Sequence, residues 1–336
     1  MTVLGLARLG PDPLTDGLLE SIRETAIDLG HAARMVVDPA DESTVDILLI
    51  VGYPAAYRRF LDAPRRARRI AWFGEPLPRP AGLEAPARPL TTRMVGSVLR
   101  VVKRGAGRAT RRGLPGPLGR VREAALIASE RTANLSDAIG CSRSVDQIVV
   151  TSRDRARVLA EHGVSASVVP FGYHRATAGP IVPPEQGSRD LVIAAIGSGV
   201  GERRFRRGRL LAALEPELAA IGPFRRLDGV WGADRDALLA RTRVIVDVHR
   251  IPGNFTGLRF LTAMASGAVL VTEPLDDPYP FVAGIDHIAV GIDDLPRSVA
   301  VLVGDEARRR EIAAHGQLRL VDDLSMRASL ERVLGA

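Results

Sequence analysis

Two series of short apolar runs, each run followed by a stretch with helical spacing, limit the folds open to this chain more than any other feature. The first series opens with an apolar run at residues 2–9. A helix is expected over 14–29, where Leu18, Leu19, Ile22, Ala26 and Ile27 fall on one side. Gly30 is placed to stop it. Residues 33–37, 45–51 and 70–73 read as further strands. The run at 45–51 is nearly all apolar, as a strand must be when a parallel sheet is covered on both faces. A proline-rich loop follows at 76–92, then a stretch at 93–140 that reads as helical with an interruption over 105–119. Strand–helix–strand alternation resumes at 146–151, 153–162 and 165–170.

Pro180, Pro183, Pro184 and Gly187 mark residues 175–189 as a linker. The second series follows it. Strands are expected at 191–196, 225–230, 244–248 and 268–272, with helices at 206–221, 234–241 and 256–266 and more helices after residue 295. Two βα series joined by a linker predict an α/β fold of two doubly wound, Rossmann-like domains facing a cleft. The expected boundaries are 1–172 for the first domain, 173–318 for the second, and 319–336 for a last helix returning to the first. A ligand in such a pair sits in the cleft, at the carboxyl ends of the strands.

Composition narrows the class further. With 336 residues, 46% of them hydrophobic and 25% charged, the chain is long enough for two ordinary globular domains. No apolar run reaches the roughly 18–20 residues of a membrane helix. The opening MTVLGLARLGPDP has no basic stretch leading into a long apolar core, so no signal peptide is expected. Cys141 is the single cysteine, and no two histidines have a metal-ligand spacing, so neither a disulfide nor a protein-bound metal is expected. These readings together favour a cytoplasmic enzyme. The net charge of +7 comes almost wholly from arginine, because Lys103 is the only lysine. The densest basic segment holds Arg100, Lys103, Arg104, Arg108, Arg111, Arg112, Arg120 and Arg122. It reads either as a solvated insertion or as a contact for an anionic acceptor, a membrane surface or a protein partner. Few aromatic residues interleave with it, which argues against stacking on nucleic acid.

Two strand–loop–helix junctions in the second half can hold an anion. Gly197, Ser198 and Gly199 follow the strand at 191–196 and precede Arg203 and Arg204. Glycines there allow a phosphate to approach the backbone, and the arginines can add bidentate contacts. A plain βα loop with solvated arginines is the alternative. The second junction runs His249-Arg250-Ile251-Pro252-Gly253-Asn254-Phe255-Thr256-Gly257-Leu258-Arg259. Thr256 is placed to cap the next helix, whose N-terminal N–H groups at Gly257 would face a diphosphate, with Arg259 in the first turn. His249 and Arg250, directly after so apolar a strand, are expected at the cleft.

The remaining candidates are more open. Glu75, between Gly74 and Pro76 at the end of a strand, reads as a general base or acceptor contact, or else as a solvated loop carboxylate. Gly10, Asp12 and Asp16 follow the first strand and read as the start of a helix. His174 lies where the chain enters the cleft. Trp231, in the turn Asp228-Gly229-Val230-Trp231-Gly232, can stack on a base or plug the core. Glu273 ends a strand and can meet a ribose or sugar.

The stretch VVTSRDRARVLAEHGVSASVVPFGYH (149–174) resembles the interdomain crossover of the large retaining GT-B glycosyltransferase family. RFLTAMASGAVLVTEP (259–274) resembles its donor-site helix and following strand. VDVHR…GNFTGLRF is similar to the spore-maturation-type branch, and Asp305, Arg308–Arg310 and 313–316 are similar to the terminal helices. The likeness spans residues 145–335. It implies transfer of a hexose-like sugar from a nucleotide diphosphate sugar to an acceptor in the cleft, with retention and without a metal or other cofactor. On this implication Gly197, Ser198, Gly199, Arg203, Arg204, Trp231, Arg250, Asn254, Thr256, Gly257, Arg259 and Glu273 bind the donor. Glu75 and His249 carry the chemistry, and Gly10, Asp12, Asp16 and His174 face the acceptor. The chain departs from the family at one pair of glutamates, whose matching positions are Asn254 and Thr262. An amide and a hydroxyl can still hydrogen-bond, but without charge. That departure motivates two other readings, a catalytically silent GT-B-like nucleotide-binding or scaffold protein and a nucleotide-sugar epimerase. The sequence identifies neither the acceptor, the nucleobase, the sugar nor the oligomeric state.

Overall fold

The computed structural model describes residues 1–10, 13–74, 76–79, 117–196, 206–254 and 257–335. Its described strands form two all-parallel sheets. The first comprises β1 (Val3–Ala7), β2 (Ala32–Val36), β3 (Ile47–Val51), β4 (Arg68–Phe73), β5 (Gln147–Val150) and β6 (Ser167–Val168), in the order β2-β1-β3-β4-β5-β6. The second comprises β7 (Leu191–Ala195), β8 (Phe224–Arg226), β9 (Thr242–Asp247), β10 (Val269–Thr272) and β11 (Ile288–Ala289), in the order β11-β10-β9-β7-β8.

The continuous apolar runs have the cause expected of them. Successive strand residues point to opposite faces, and each face here has its own helical cover. Leu49 and Val51 of β3, with Ile70 and Trp72 of β4, pack under Leu18, Leu19 and Ile22 of helix Pro13–Asp28. Leu48, Ile50, Ala71 and Phe73 face the other way, toward Phe60, Leu135, Ala138 and Val158. The second sheet repeats the scheme. Val244 and Val246 pack with Leu211, Leu218 and Val299, while Ile245 and Leu270 pack with Phe260, Leu261 and Met264.

The last segment crosses back between the sheets. Met326, Leu330 and Val333 of helix Met326–Gly335 are buried in the core cluster of the first sheet. Tyr173 N–H donates to the Leu324 carbonyl at 2.6 Å, and Met326 N–H donates to the Tyr173 carbonyl at 2.8 Å. Gly172 is required at this crossing, because a Cβ there would collide with the Ser325 carbonyl.

Three element expectations change. The strand expected at 225–230 stops at Arg226, because Gly229 takes φ +73°, outside the extended region. The linker at 175–189 begins as a short helix, Arg175–Ala178, capped by His174. Of the helical stretch at 93–140, helix Pro117–Cys141 is observed, and 93–116 lie outside the described residues. No helix among the described residues is long and apolar enough to cross a membrane.

Candidate functional site

The carboxyl ends of both sheets open onto one cleft of about 380 Å³. Thr15, Leu18, Val51, Gly52, Gly74, Thr151 and Phe171 line it from the first half. Ile196, Arg207, Leu227, Val230, Trp231, Arg235, Arg250, Ile251, Asn254, Gly257, Leu258, Arg259 and Thr262 line it from the second. Among the described residues that line it, none is an aspartate or a glutamate.

The floor of the second half is built where β9 and β10 end side by side. Glu273, next after β10, accepts the backbone N–H of His249 at 2.9 Å. Arg206, the first residue of helix Arg206–Ile221, donates to both oxygens of Glu273 at 2.8 and 2.5 Å and to the His249 carbonyl at 2.8 Å. Burial acts to raise the Glu273 carboxyl, but the Arg206 hydrogen bonds and charge, with the His249 N–H, outweigh it and hold it below the usual carboxylate range. The His249 ring is 1% exposed, and its Nε2 lies 2.8 Å from Thr272 Oγ1. Burial lowers its pKa to about 4 against the pull of Glu273, so the ring is neutral at pH 7.

Above this floor, helix Gly257–Ala265 points its N-terminus into the cleft, with Gly257, Leu258 and Arg259 among the lining residues. The Arg259 Nε lies 3.2 Å from Asp247 Oδ1, at the buried end of β9. Arg259 and the first residues of the helix thus share one stretch of the cleft wall, and a cation and a helix N-terminus each favour an anion there. At the other end of the cleft Leu227, Val230, Ile196 and the 38% exposed Trp231 form an apolar wall.

Polar contacts tie the two halves together around the cleft. Arg155, at the start of helix Arg153–Glu161, donates to the Gly74 carbonyl at 2.6 Å and to Asn254 Oδ1 at 2.9 Å. Arg250 forms an ion pair with Glu130 of helix Pro117–Cys141, with Nη1 to Oε2 at 2.7 Å. Arg153 takes Asp277 through its backbone N–H at 2.8 Å and through Nη2 at 2.7 Å. Arg79 reaches Asp276 at 2.8 Å.

The cleft therefore brings together Trp231, Arg250, Asn254, Gly257 and Arg259 of the expected set, with Thr262 beside them. It does not bring in five others. The expectation that His249 faces the cleft is corrected, because Thr272 and Glu273 of the neighbouring strand hold it in the floor and its neighbour Arg250 takes the exposed place. Glu273 is likewise engaged by Arg206 beneath the cleft rather than lining it. Asp16 is paired with Arg8 at 2.9 Å, and Thr15 faces the cleft in its stead. His174 Nδ1 accepts the Ala176 N–H as a helix cap, and Gly10 is exposed. Asp12, Glu75, Gly197, Ser198, Gly199, Arg203, Arg204 and Thr256 lie outside the described residues. Arg155, Arg206 and Asp247 were not anticipated. Asp247 had a signal, as the one charged residue in the apolar run at 244–248. Arg155 and Arg206 had none, since each is one arginine among several. Among the described residues no group of three or more His, Cys, Asp or Glu side chains could hold a metal ion.

Comparison with known proteins agrees with this geometry. A family model described as glycosyl transferase-like matches residues 202–335. No curated protein matches the chain in sequence. Among solved structures, the Anabaena protein HepE in complex with UDP-glucose superposes with a TM-score of 0.63 at 9% identity, covering 100% of this chain and 99% of that one. The sucrose-phosphate synthase of Thermosynechococcus elongatus gives 0.61 at 10% identity, covering 100% and 98%. An alpha-glucosyltransferase in complex with UDP and a 13-mer DNA gives 0.56 at 12% identity, covering 99% and 98%. The chain thus shares the two-domain GT-B fold of these structures, and its residues 202–335 match a glycosyl transferase-like family.

Proposed function

We propose that the chain is a metal-independent glycosyltransferase that moves a sugar from a nucleotide diphosphate sugar to an acceptor held in the interdomain cleft. The observation that carries this reading is the helix N-terminus at Gly257, with Arg259 anchored beside it, opening into the cleft between the two sheets. Backbone N–H groups and a guanidinium stabilise the charge that develops on the diphosphate leaving group, which is the chief demand of sugar transfer. Trp231, Val230 and Leu227 are placed to cover the nucleobase. The sugar then extends toward Asn254 and the wall of the first half, where Gly74 and Thr151 stand. Glu75, next after Gly74 in sequence, is the carboxylate proposed to serve the acceptor. His249 is assigned to hold the floor rather than to move a proton. The family likeness supports a hexosyl donor and a retained anomeric configuration.

A second reading has its own support. The described cleft wall contains no carboxylate, and Asn254 and Thr262 stand where the family carries glutamates. A nucleotide-binding protein without transferase activity fits that wall equally well. One experiment separates the two. Thermal unfolding is measured with UDP, GDP and TDP and their hexose conjugates, and slow hydrolysis of the conjugates to free sugar and nucleoside diphosphate, with water as the acceptor, is followed in the same samples. Ligand at one hundred times its Kd stabilises a protein by about 2.7 kcal/mol, so one series is expected to raise Tm by several degrees and to be consumed. Stabilisation without consumption favours the binding protein. No stabilisation by any nucleotide contradicts both readings.

A further inference from the structure

Arg155 is the buried cation by which the first half of the chain reaches the loop in front of helix Gly257–Ala265. It is 4% exposed. Its Nη1 donates to Thr151 Oγ1 at 3.1 Å and Ser152 Oγ at 2.8 Å, and its Nη2 donates to the Gly74 carbonyl at 2.6 Å and Asn254 Oδ1 at 2.9 Å. A guanidinium has donors only, so the Asn254 atom that meets it must be the carbonyl oxygen. The carboxamide cannot flip without setting N–H against N–H. Its Nδ2 therefore points away from Arg155, and it has no hydrogen-bond partner among the described residues. Asn254, Gly74 and Thr151 all line the cleft, and Arg155 joins the three by hydrogen bonds.

We propose that Arg155 is a positioning residue that locks Asn254 with its amide N–H group toward the cleft, so that this point reads a hydrogen-bond-accepting oxygen on the donor's sugar. The inference rests on the reading of the cleft as a nucleotide-sugar site. It goes beyond that reading in giving the sugar contact a polarity, a neutral donor in place of an accepting carboxylate. It also makes that contact depend on the first half of the chain, because the oxygen of Asn254 is held from across the cleft.

Two variants separate positioning from mere bracing. Asn254→Asp keeps an oxygen for Arg155 and makes the pair charge-assisted, hence stronger, while it removes the N–H group. Arg155→Met removes the lock, and Arg155→Lys restores a single donor to the same oxygen. Calorimetry with UDP and with UDP-glucose gives, for each protein, the ratio of the two affinities. In Asn254→Asp that ratio is expected to shift against UDP-glucose by roughly five- to tenfold, the worth of one hydrogen bond to a ligand. Arg155→Met shifts it in the same direction, and Arg155→Lys recovers part of the loss. A ratio unchanged in Asn254→Asp overturns the inference and leaves the nucleotide-sugar reading intact. Equal weakening of UDP and UDP-glucose in the Arg155 variants also overturns it, since that reports only a loosened contact between the halves. A wild-type protein that binds none of UDP, GDP and TDP or their hexose conjugates overturns the inference together with the reading beneath it. Circular dichroism of each variant checks the fold, and Asn254→Asp, which keeps the clasp, carries the test if Arg155→Met does not fold.

Discussion

His249 and Arg250 are neighbours in sequence with opposite places in the structure. A polar pair after an apolar strand reads as a site, and one member of it does line the cleft. What the sequence could not show was the neighbouring strand. Thr272 offers its hydroxyl to the His249 ring and Glu273 its carboxylate to the His249 backbone N–H, and these contacts hold the residue in a buried place. The same burial has a consequence for pH. His249 and His287 are both lowered by burial to about 4. As pH falls through 6.5, the unfolded chain takes up protons that the native rings refuse until about pH 4. Proton uptake then favours unfolding, so stability falls across that window, by on the order of 3 kcal/mol for each ring. Thermal unfolding measured between pH 7 and pH 4 should show Tm declining. The decline should be shallower in His249→Gln, which cannot take up the proton. A slope identical in wild type and variant would contradict the buried, neutral ring.

At the scale of elements, the strands were readable as continuous apolar runs, the pattern of a parallel sheet covered on both faces. The runs at 45–51 and 244–248 appear as β3 and β9, with ends displaced by one or two residues. Ends were readable only where a backbone constraint was local. Gly229 cuts β8 short by its positive φ, a property that no side-chain pattern carries. Helix Met326–Gly335 shows the converse case. Its apolar residues Met326, Leu330 and Val333 mark an amphipathic helix, but the sheet they cover lies more than half the chain away. Leu330 is fully buried there. Leu330→Ala should cost about 2–5 kcal/mol by removing packed atoms and leaving a void. Urea unfolding followed by the fluorescence of Trp72, which shares that cluster, measures the loss. A loss under about 1 kcal/mol would mean that the helix does not dock on the first sheet.

For the whole molecule, two sheets whose carboxyl ends face one another were legible from the order of strands and helices, because βα alternation leaves few other folds. The contacts that bring the halves together were not. Arg155 to Asn254, Arg153 to Asp277, Arg79 to Asp276 and Arg250 to Glu130 each join residues far apart in sequence, in a chain where arginine is too common to mark any one of them. These contacts shape a cleft with an apolar wall at Trp231 and an anion-seeking helix end at Gly257. The central claim is that this helix end receives a nucleotide's diphosphate. A crystal structure of the chain with UDP tests it directly. The diphosphate should lie within hydrogen-bond distance of the first-turn N–H groups of helix Gly257–Ala265 and of Arg259, with the base toward Trp231. Nucleotide bound outside the cleft, or in the cleft with its phosphates turned from that helix end, would contradict the account.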